Sequence, residues 1–182
     1  MRFPIVPRAP RSLPSDRLRG LLQRLDTPRD QLITVLVAVH ALGISDMRGL
    51  QVDDLDRRHG TLRVARQSRE FLIILDELVL QMVTNWLRVR ATRWPATNNP
   101  HLLISGHTAH HRGPMSRCGL EASFRRLGIT PNQLRTDRIL DEARHSADPV
   151  QLIRVFGLGI TSAIRYVRAA HPERFTPNLA SP

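Results

Sequence analysis

RVFGLGITSAIRYVRAAHPE (Arg154–Glu173) predicts two short helices that meet at a break over residues Gly157, Leu158 and Gly159. The second helix carries Tyr166, the only tyrosine among the 182 residues. A tyrosine hydroxyl can act as a covalent nucleophile when neighbouring groups activate it. A lone tyrosine on a short amphipathic helix also commonly packs with its hydroxyl toward water. The segment alone leaves both interpretations of Tyr166 open.

Capping residues and hydrophobic periodicity predict further helices along the rest of the chain. The clearest start is Thr27-Pro28-Arg29-Asp30, with a cap, a proline in the first turn and an acid at the third position. The predicted helices are Ser15–Leu25, one from the Thr27 cap to Leu42, Asp76–Thr92, one after Ser116, one from Thr130-Pro131 through Ala143, one from Asp148-Pro149, and one from Ile160-Thr161.

Two β-prone runs, Thr61–Arg66 and Phe71–Leu75, flank the polar stretch Gln67–Glu70 and predict a hairpin. His101–Ser105 predicts a third short strand. The expected fold class is therefore α+β, mostly helical, with a small antiparallel sheet. We expect an extended, basic, proline-rich arm over residues 1–14, a single domain over 15–175 and a tail over 176–182.

The charge of the chain favours a polyanionic partner. The formal net charge is +11, and the sequence contains no lysine, so every permanent positive side chain is an arginine. A guanidinium donates bidentate hydrogen bonds to phosphate oxygens and stays charged. Arg2, Arg8 and Arg11 lie on the N-terminal arm, which fits either a minor-groove contact or a solvated terminus.

The number of cysteines and the hydropathy of the chain indicate the cellular compartment in which the protein is expected. Cys118 is the single cysteine, so an intrachain disulfide is impossible and a reducing, cytoplasmic setting is expected. No run of 18 apolar residues exists, so we expect no membrane partner. Three histidines cluster at His107, His110 and His111, but no local cysteine or carboxylate accompanies them. We therefore expect a polar loop there, with no metal, and no cofactor for the chain.

Four segments, in order, resemble the sequence boxes of the tyrosine recombinase, or phage integrase, family. His40–Asp46 with Leu50–Asp56 resembles a first box, T-G-L-R-I-S-E followed by L-x-W-x-D-I-D. Pro131–Arg135 resembles the second box, H-x-L-R-H, and the Tyr166 segment resembles the last. The hairpin, the long helix ending at Trp86-Leu87, Gly113–Ser116 and Leu127–Ile129 follow in the family's order. The similarity covers about Asp30–Glu173.

The resemblance implies the catalytic-domain fold of that family, with double-stranded DNA as partner. In the family a tyrosine attacks a DNA phosphodiester and forms a 3′-phosphotyrosyl link, without a nucleotide cofactor. Two arginines stabilise the transition state, a hairpin lysine protonates the leaving oxygen, and histidines assist. Carried over by position, Tyr166 is the nucleophile, Arg135 is the phosphate clamp, and Asn132 stands in place of a histidine.

The chain departs from the family pattern at several of these positions. Gly43 stands where the first-box arginine is expected, Thr136 replaces the histidine after Arg135, and Leu158 replaces the last-box histidine. The lysine is missing because the chain has none. An asparagine can bind phosphate but cannot exchange a proton at neutral pH. The expected site is therefore degenerate.

The resulting hypothesis is a DNA-binding protein of the recombination and integration lineage whose strand cleavage is lost or strongly reduced. The expected DNA contacts are Arg66, Arg69, Arg117, Arg125, Arg126 and Arg165. One alternative is an active site-specific recombinase that cleaves through Tyr166. Another is a non-catalytic interaction module, in which the segment His171–Pro182 docks on a second copy or on an intact recombinase.

Overall fold

The computed structural model describes residues 20–66 and 69–175. Within these ranges helices dominate, and short 3₁₀ turns lie at Leu22–Arg24, Val52–Asp54, Thr108–His110 and Pro172–Phe175. The helices are α1 (Pro28–His40), α2 (Ile44–Gly49), α3 (Glu77–Arg93), α4 (Arg117–Leu127), α5 (Pro131–Ser146), α6 (Pro149–Phe156) and α7 (Ile160–Ala170).

Most of these helices begin where a side chain caps the first turn. Thr27 Oγ1 accepts from the backbone N–H of Asp30 at 3.1 Å, and Asp76 Oδ1 accepts from that of Val79 at 2.8 Å. Ser116, Thr130 and Asp148 act in the same way at α4, α5 and α6. The predicted helix starts at these five caps are confirmed.

The sheet is a three-stranded antiparallel meander in the order β1-β2-β3. Its strands are β1 (Leu55–Asp56), β2 (Thr61–Arg66) and β3 (Arg69–Ile74). Thr61 pairs with Ile74 and Arg66 with Arg69, so β2 and β3 form the predicted hairpin. The mostly helical α+β fold class is confirmed.

Two clusters of buried apolar side chains hold the domain together. The larger one joins α1, α2, the sheet, α3 and α4, with Leu32, Leu36 and Phe124 among its fully buried members. The smaller one lies among α5, α6 and α7 and contains Leu158 and Tyr166. Helix α1 packs against α3, α4 and α5 and so carries the connection between the two halves.

Several predicted boundaries differ from the structure. His101–Ser105 is not a strand: it makes one isolated bridge, Gln51 with His101, and Leu102–Ile104 is buried as irregular chain. The Leu102 N–H donates to the carbonyl of Leu50 at 2.9 Å, and the Leu102 carbonyl accepts from the Trp86 indole at 2.8 Å. The third strand is β1 instead.

Helix ends were also misplaced. Helix α1 stops at His40 because Ala41 adopts a left-handed conformation, with φ 50°, whereas the sequence predicted Leu42. The part of predicted helix Ser15–Leu25 that is described contains only the 3₁₀ turn at Leu22–Arg24. Helix α2 was not predicted, since six residues provide little periodicity.

Other predictions lie outside the described residues. They concern the arm over 1–14, the start of the first predicted helix, the turn residues 67–68 and the tail over 176–182. In the part of the chain that the structure describes, no helix has the length and apolar character needed to cross a membrane.

Candidate functional site

Arg135 is the centre of the candidate site. It lies in the second turn of α5, and its Nε donates to the carbonyl of Ala41 at 2.7 Å. Burial is the main cause that lowers the pKa of Arg135; Tyr166 raises this pKa, Arg66 lowers it and Asp46 raises it. Among the described residues its two terminal nitrogens have no hydrogen-bond partner. A half-buried guanidinium with free donors is suited to an anion.

A cavity of about 440 Å³ opens beside this guanidinium. It lies between the start of α2 and the starts of α4 and α5, and Gly43, Arg117, Arg125, Asn132 and Arg135 are among its lining residues. Glu121 also lines it, but its carboxylate accepts from Arg117 Nε at 2.8 Å. The cavity therefore gathers three guanidinium groups and one amide side chain around a space large enough for a phosphodiester.

Gly43 forms one wall of that cavity without a side chain. Its backbone, at φ −82° and ψ 163°, suits any L-residue, and its N–H donates to Asp46 Oδ2 at 2.8 Å. A Cβ built there would lie 3.4 Å from Asp46 Oδ2, which is ordinary van der Waals contact. Nothing in the local conformation therefore requires a glycine at this position.

Tyr166 lies on α7 close enough to Arg135 to affect its pKa. Tyr166 is only 6% exposed and belongs to the smaller apolar cluster, together with Leu158 and Phe156. The guanidinium carbon of Arg165 lies 6.0 Å from the centre of the phenol ring. Helices α5 and α7, which carry Arg135 and Tyr166, pack against each other, and Leu158 packs as a core residue.

Arg66 is tied into the protein interior. Its Nε donates to Asp46 Oδ1 at 3.0 Å and its Nη2 to Asp46 Oδ2 at 2.5 Å. Its Nη1 donates to the carbonyls of Phe156 and Gly157 at 2.8 and 3.0 Å. The guanidinium also lies over the ring of Phe71, 4.9 Å from its centre. Four of its five N–H groups are therefore committed to this network, called here the Arg66 tie.

The other predicted DNA contacts divide into two groups. Arg126 makes an ion pair with the buried carboxylate of Asp30, which links α4 to the start of α1. Arg69, Arg117, Arg125 and Arg165 are exposed. Of the remaining site positions, Asn132 is exposed at the cavity and Thr136 is half-buried on α5.

Sequence reasoning missed the groups that orient these arginines. The carbonyl of Ala41 holds Arg135 from 94 positions away, and Asp46 holds Arg66 from 20 positions away. Neither contact has a local sequence signal. Asp46 stands in the first box, and its family position was the only available indication.

His107, His110 and His111 are all exposed on one loop, and the rings of His107 and His111 lie 5.2 Å apart in an edge contact. In the described ranges, no group of three or more His, Cys, Asp or Glu side chains is arranged to hold a metal ion.

The sequence model of the phage integrase family matches residues 11–148. This chain belongs to the phage integrase family. The match ends before α7, so the Tyr166 segment lies beyond it. In the curated proteins, tyrosine recombinase XerA of Pyrococcus furiosus is 24% identical over 145 residues, which cover 74% of this chain and 49% of XerA. The chain thus spans about half the length of that relative.

Solved structures of recombinases have the same fold. A crystal structure of XerA recombinase superposes with a TM-score of 0.74 at 20% identity, covering 100% of this chain and 70% of that one. XerH recombinase bound to a palindromic difH substrate, in a post-cleavage complex, gives 0.72 at 13% identity, covering 92% and 52%. A lambda integrase dimer bound to a COC′ core site gives 0.61 at 14% identity, covering 94% and 50%.

Proposed function

We propose that this integrase-family chain binds double-stranded DNA through the Arg135 cavity and that its strand-cleavage activity is lost or strongly reduced. The observation that carries the proposal is the composition of the cavity: a guanidinium with free donors and two further arginines, beside a wall at Gly43 that has no side chain. The structures of XerH and lambda integrase with DNA support DNA as the ligand class.

The expected losses of rate are large, whereas the expected loss of DNA affinity is small. Loss of one transition-state arginine costs about 10³–10⁵ in rate, and loss of a general acid costs about 10²–10⁴. Gly43 removes the first, and the absence of lysine removes the second. Arg66 cannot replace either group, because an arginine does not release a proton and the Arg66 tie occupies most of its donors. Backbone affinity, by contrast, is spread over many arginines.

Retained cleavage is a second candidate function, and the proximity of Tyr166 to Arg135 favours it. A pool of nicked duplexes that trap covalent intermediates separates the two functions. We expect no covalent protein–DNA band on a denaturing gel, and a salt-sensitive gel shift with the same samples. A covalent band that disappears in Tyr166→Phe would overturn the proposed loss of cleavage. The absence of any shift would instead favour the interaction module through His171–Pro182.

The Gly43→Arg substitution tests whether the missing arginine causes the proposed loss of strand cleavage. The added side chain enters an existing cavity from a backbone that accepts any residue, so the fold is retained. We expect covalent product in Gly43→Arg to exceed that in the matched Gly43→Ala control by about tenfold or more. This gain should vanish in Gly43→Arg/Tyr166→Phe. Equal yields from the arginine and alanine variants would mean that another missing group limits the reaction.

A further inference from the structure

A second cleft lies away from Arg135, between two loop segments. One wall is Arg93–Asn99, which covers the end of α3 and the loop after it, and the other wall is Ala109–Arg112. The cleft measures about 770 Å³. It lies within residues 78–120, a stretch of 43 residues that contains no aspartate or glutamate. No acidic side chain within residues 78–120 therefore offsets the positive charge of the cleft.

The two walls are fixed to each other by hydrogen bonds from the side chains of Asn99, which is buried, and Thr97, which is half-buried. Asn99 is 4% exposed, and its Nδ2 donates to the carbonyls of Thr108, His111 and Gly113 at 2.7 to 2.8 Å. Thr97 Oγ1 donates to the carbonyl of Ala109 at 2.7 Å. Because these bonds are already formed, the width of the cleft is set before any ligand enters, which reduces the ordering cost of binding.

The cleft is lined by two arginines, one tryptophan and two histidines. Arg93 and Arg112 are exposed, and neither makes an ion pair within the described ranges. The Arg93 guanidinium lies over the indole of Trp94, 5.2 Å from the ring centre. His111 Nδ1 accepts from the N–H of Gly113 at 3.1 Å, which leaves its Nε2 as the ring's donor. The cleft therefore offers donors for phosphate and a flat, partly exposed stacking surface.

From these features we infer that the Arg93–Arg112 cleft binds a short segment of single-stranded nucleic acid. Arg93, Arg112 and the His111 Nε2 hold its phosphates, and the Arg93–Trp94 pair stacks on an unpaired base. Cationic grooves lined with aromatic side chains bind single strands in this manner. A duplex keeps its bases paired and stacked, so it does not present an unpaired base to such a cleft. The inference goes beyond the proposed function, since it involves no residue of the Arg135 cavity.

The tryptophan residues give a direct readout. The sequence has two, and Trp86 is buried with its indole bonded to the Leu102 carbonyl, so Trp94 is the one that a ligand can reach. We expect a 5′-phosphorylated hexamer of deoxythymidine to quench the fluorescence of the full chain. The quench should be lost in Trp94→Phe and kept in Arg135→Ala. The Arg135→Ala result separates this cleft from the proposed function.

Charge variants complete the test. Arg93→Ala/Arg112→Ala should weaken hexamer binding by about tenfold or more and lower the salt slope by about 1.4, since about 0.7 is expected for each phosphate contact. The matched control is Arg57→Ala/Arg58→Ala, which removes two exposed charges from the turn after β1. It should change binding by less than about twofold. Circular dichroism verifies that both variants are folded.

Four results would overturn the inference. They are no binding of the hexamer by the full chain, an equal loss in the two charge variants, a quench that persists in Trp94→Phe, and equal competition by a duplex of the same length.

Discussion

At the scale of single residues, Gly43 affects the chemistry of the cavity but is not required by the backbone conformation. Its backbone is ordinary, and a Cβ there meets only Asp46 at contact distance. The glycine therefore changes what the cavity can do without being needed for the fold. The reverse holds at Gly157, where φ is +61° and a Cβ would lie 2.8 Å from ring atoms of Phe71. There the glycine is a requirement of packing.

Left-handed positions give a prediction about stability. Ala147 ends α5 at φ 49°, where an L-residue is strained, whereas Gly128 ends α4 at φ 70°. We expect Ala147→Gly to raise the free energy of unfolding by about 0.5–1 kcal/mol, and Gly128→Ala to lower it by about 1 kcal/mol. Nothing lies within 4 Å of a Cβ at Gly128, so strain alone acts there. Urea denaturation measures both, and a stability loss in Ala147→Gly would contradict this account.

His40 gives a prediction about pH. Burial lowers the pKa of His40, while Asp76 raises it and Arg138 lowers it, and the buried Nε2 has no hydrogen-bond partner in the described structure. The unfolded chain therefore takes up a proton near pH 6.5 before the folded chain does. Stability is fully present above about pH 6.5 and falls as pH decreases below it, by at most about 1.4 kcal/mol per pH unit from this group.

The measurement is the free energy of unfolding between pH 5 and 8. In His40→Leu the slope in this range should decrease, because the titrating group is gone. His110→Gln, which changes an exposed imidazole, serves as the control and should keep the parent slope. An unchanged slope in His40→Leu would assign the pH dependence to other groups.

At the scale of elements, the hairpin is held against the end of α6. Phe71 of β3 lies against Gly157, and the Arg66 tie binds the carbonyls of Phe156 and Gly157. The same guanidinium binds Asp46 at the start of α2. The hairpin therefore links the two box segments that flank the candidate site, although it provides no free cation of its own at Arg66.

Gly157→Ala tests this docking. The substitution adds left-handed strain and pushes on the Phe71 ring, so we expect it to cost about 2–3 kcal/mol of unfolding free energy. Gly128→Ala carries the strain alone and should cost less. The double variant Gly157→Ala/Phe71→Ala should show coupling between the two positions in a double-mutant cycle. Additive losses would mean that the ring and the glycine are energetically independent.

What the sequence could predict follows from the range of each interaction. Helix starts at Thr27, Asp76 and Ser116 were predictable, because a cap bonds an N–H two or three residues away. The start of α5, which carries Arg135, was predictable from its Thr130 cap, whereas the Tyr166 helix was predicted from the break at residues 157–159. The engagement of Arg66 was not, because its partners lie 20 and about 90 positions away. The strand predicted at His101–Ser105 was wrong because burial alone gives β-like composition to irregular chain.

At the scale of the whole molecule, the net charge of +11 means that the proposed binding to DNA should depend on ionic strength. Arg135→Ala should weaken duplex binding to a similar degree on unrelated sequences and lower the salt slope by about 1, as expected for a phosphate contact. Gel shifts over a salt series measure this. Arg57→Ala, in an exposed turn, is the control and should leave the slope nearly unchanged. A loss confined to one sequence would identify Arg135 as a base contact instead.

The Arg66 tie also has a consequence for biosynthesis. Arg66 is synthesised 90 and 91 residues before the carbonyls of Phe156 and Gly157, and Asp46 is synthesised earlier still. Until then a nascent chain can form the ion pair but has no acceptors for Nη1, so the hairpin lacks its support. At roughly 5–20 residues per second, this interval lasts about 5–20 s. The larger cluster can therefore fold during translation before the hairpin gains its support from Phe156 and Gly157.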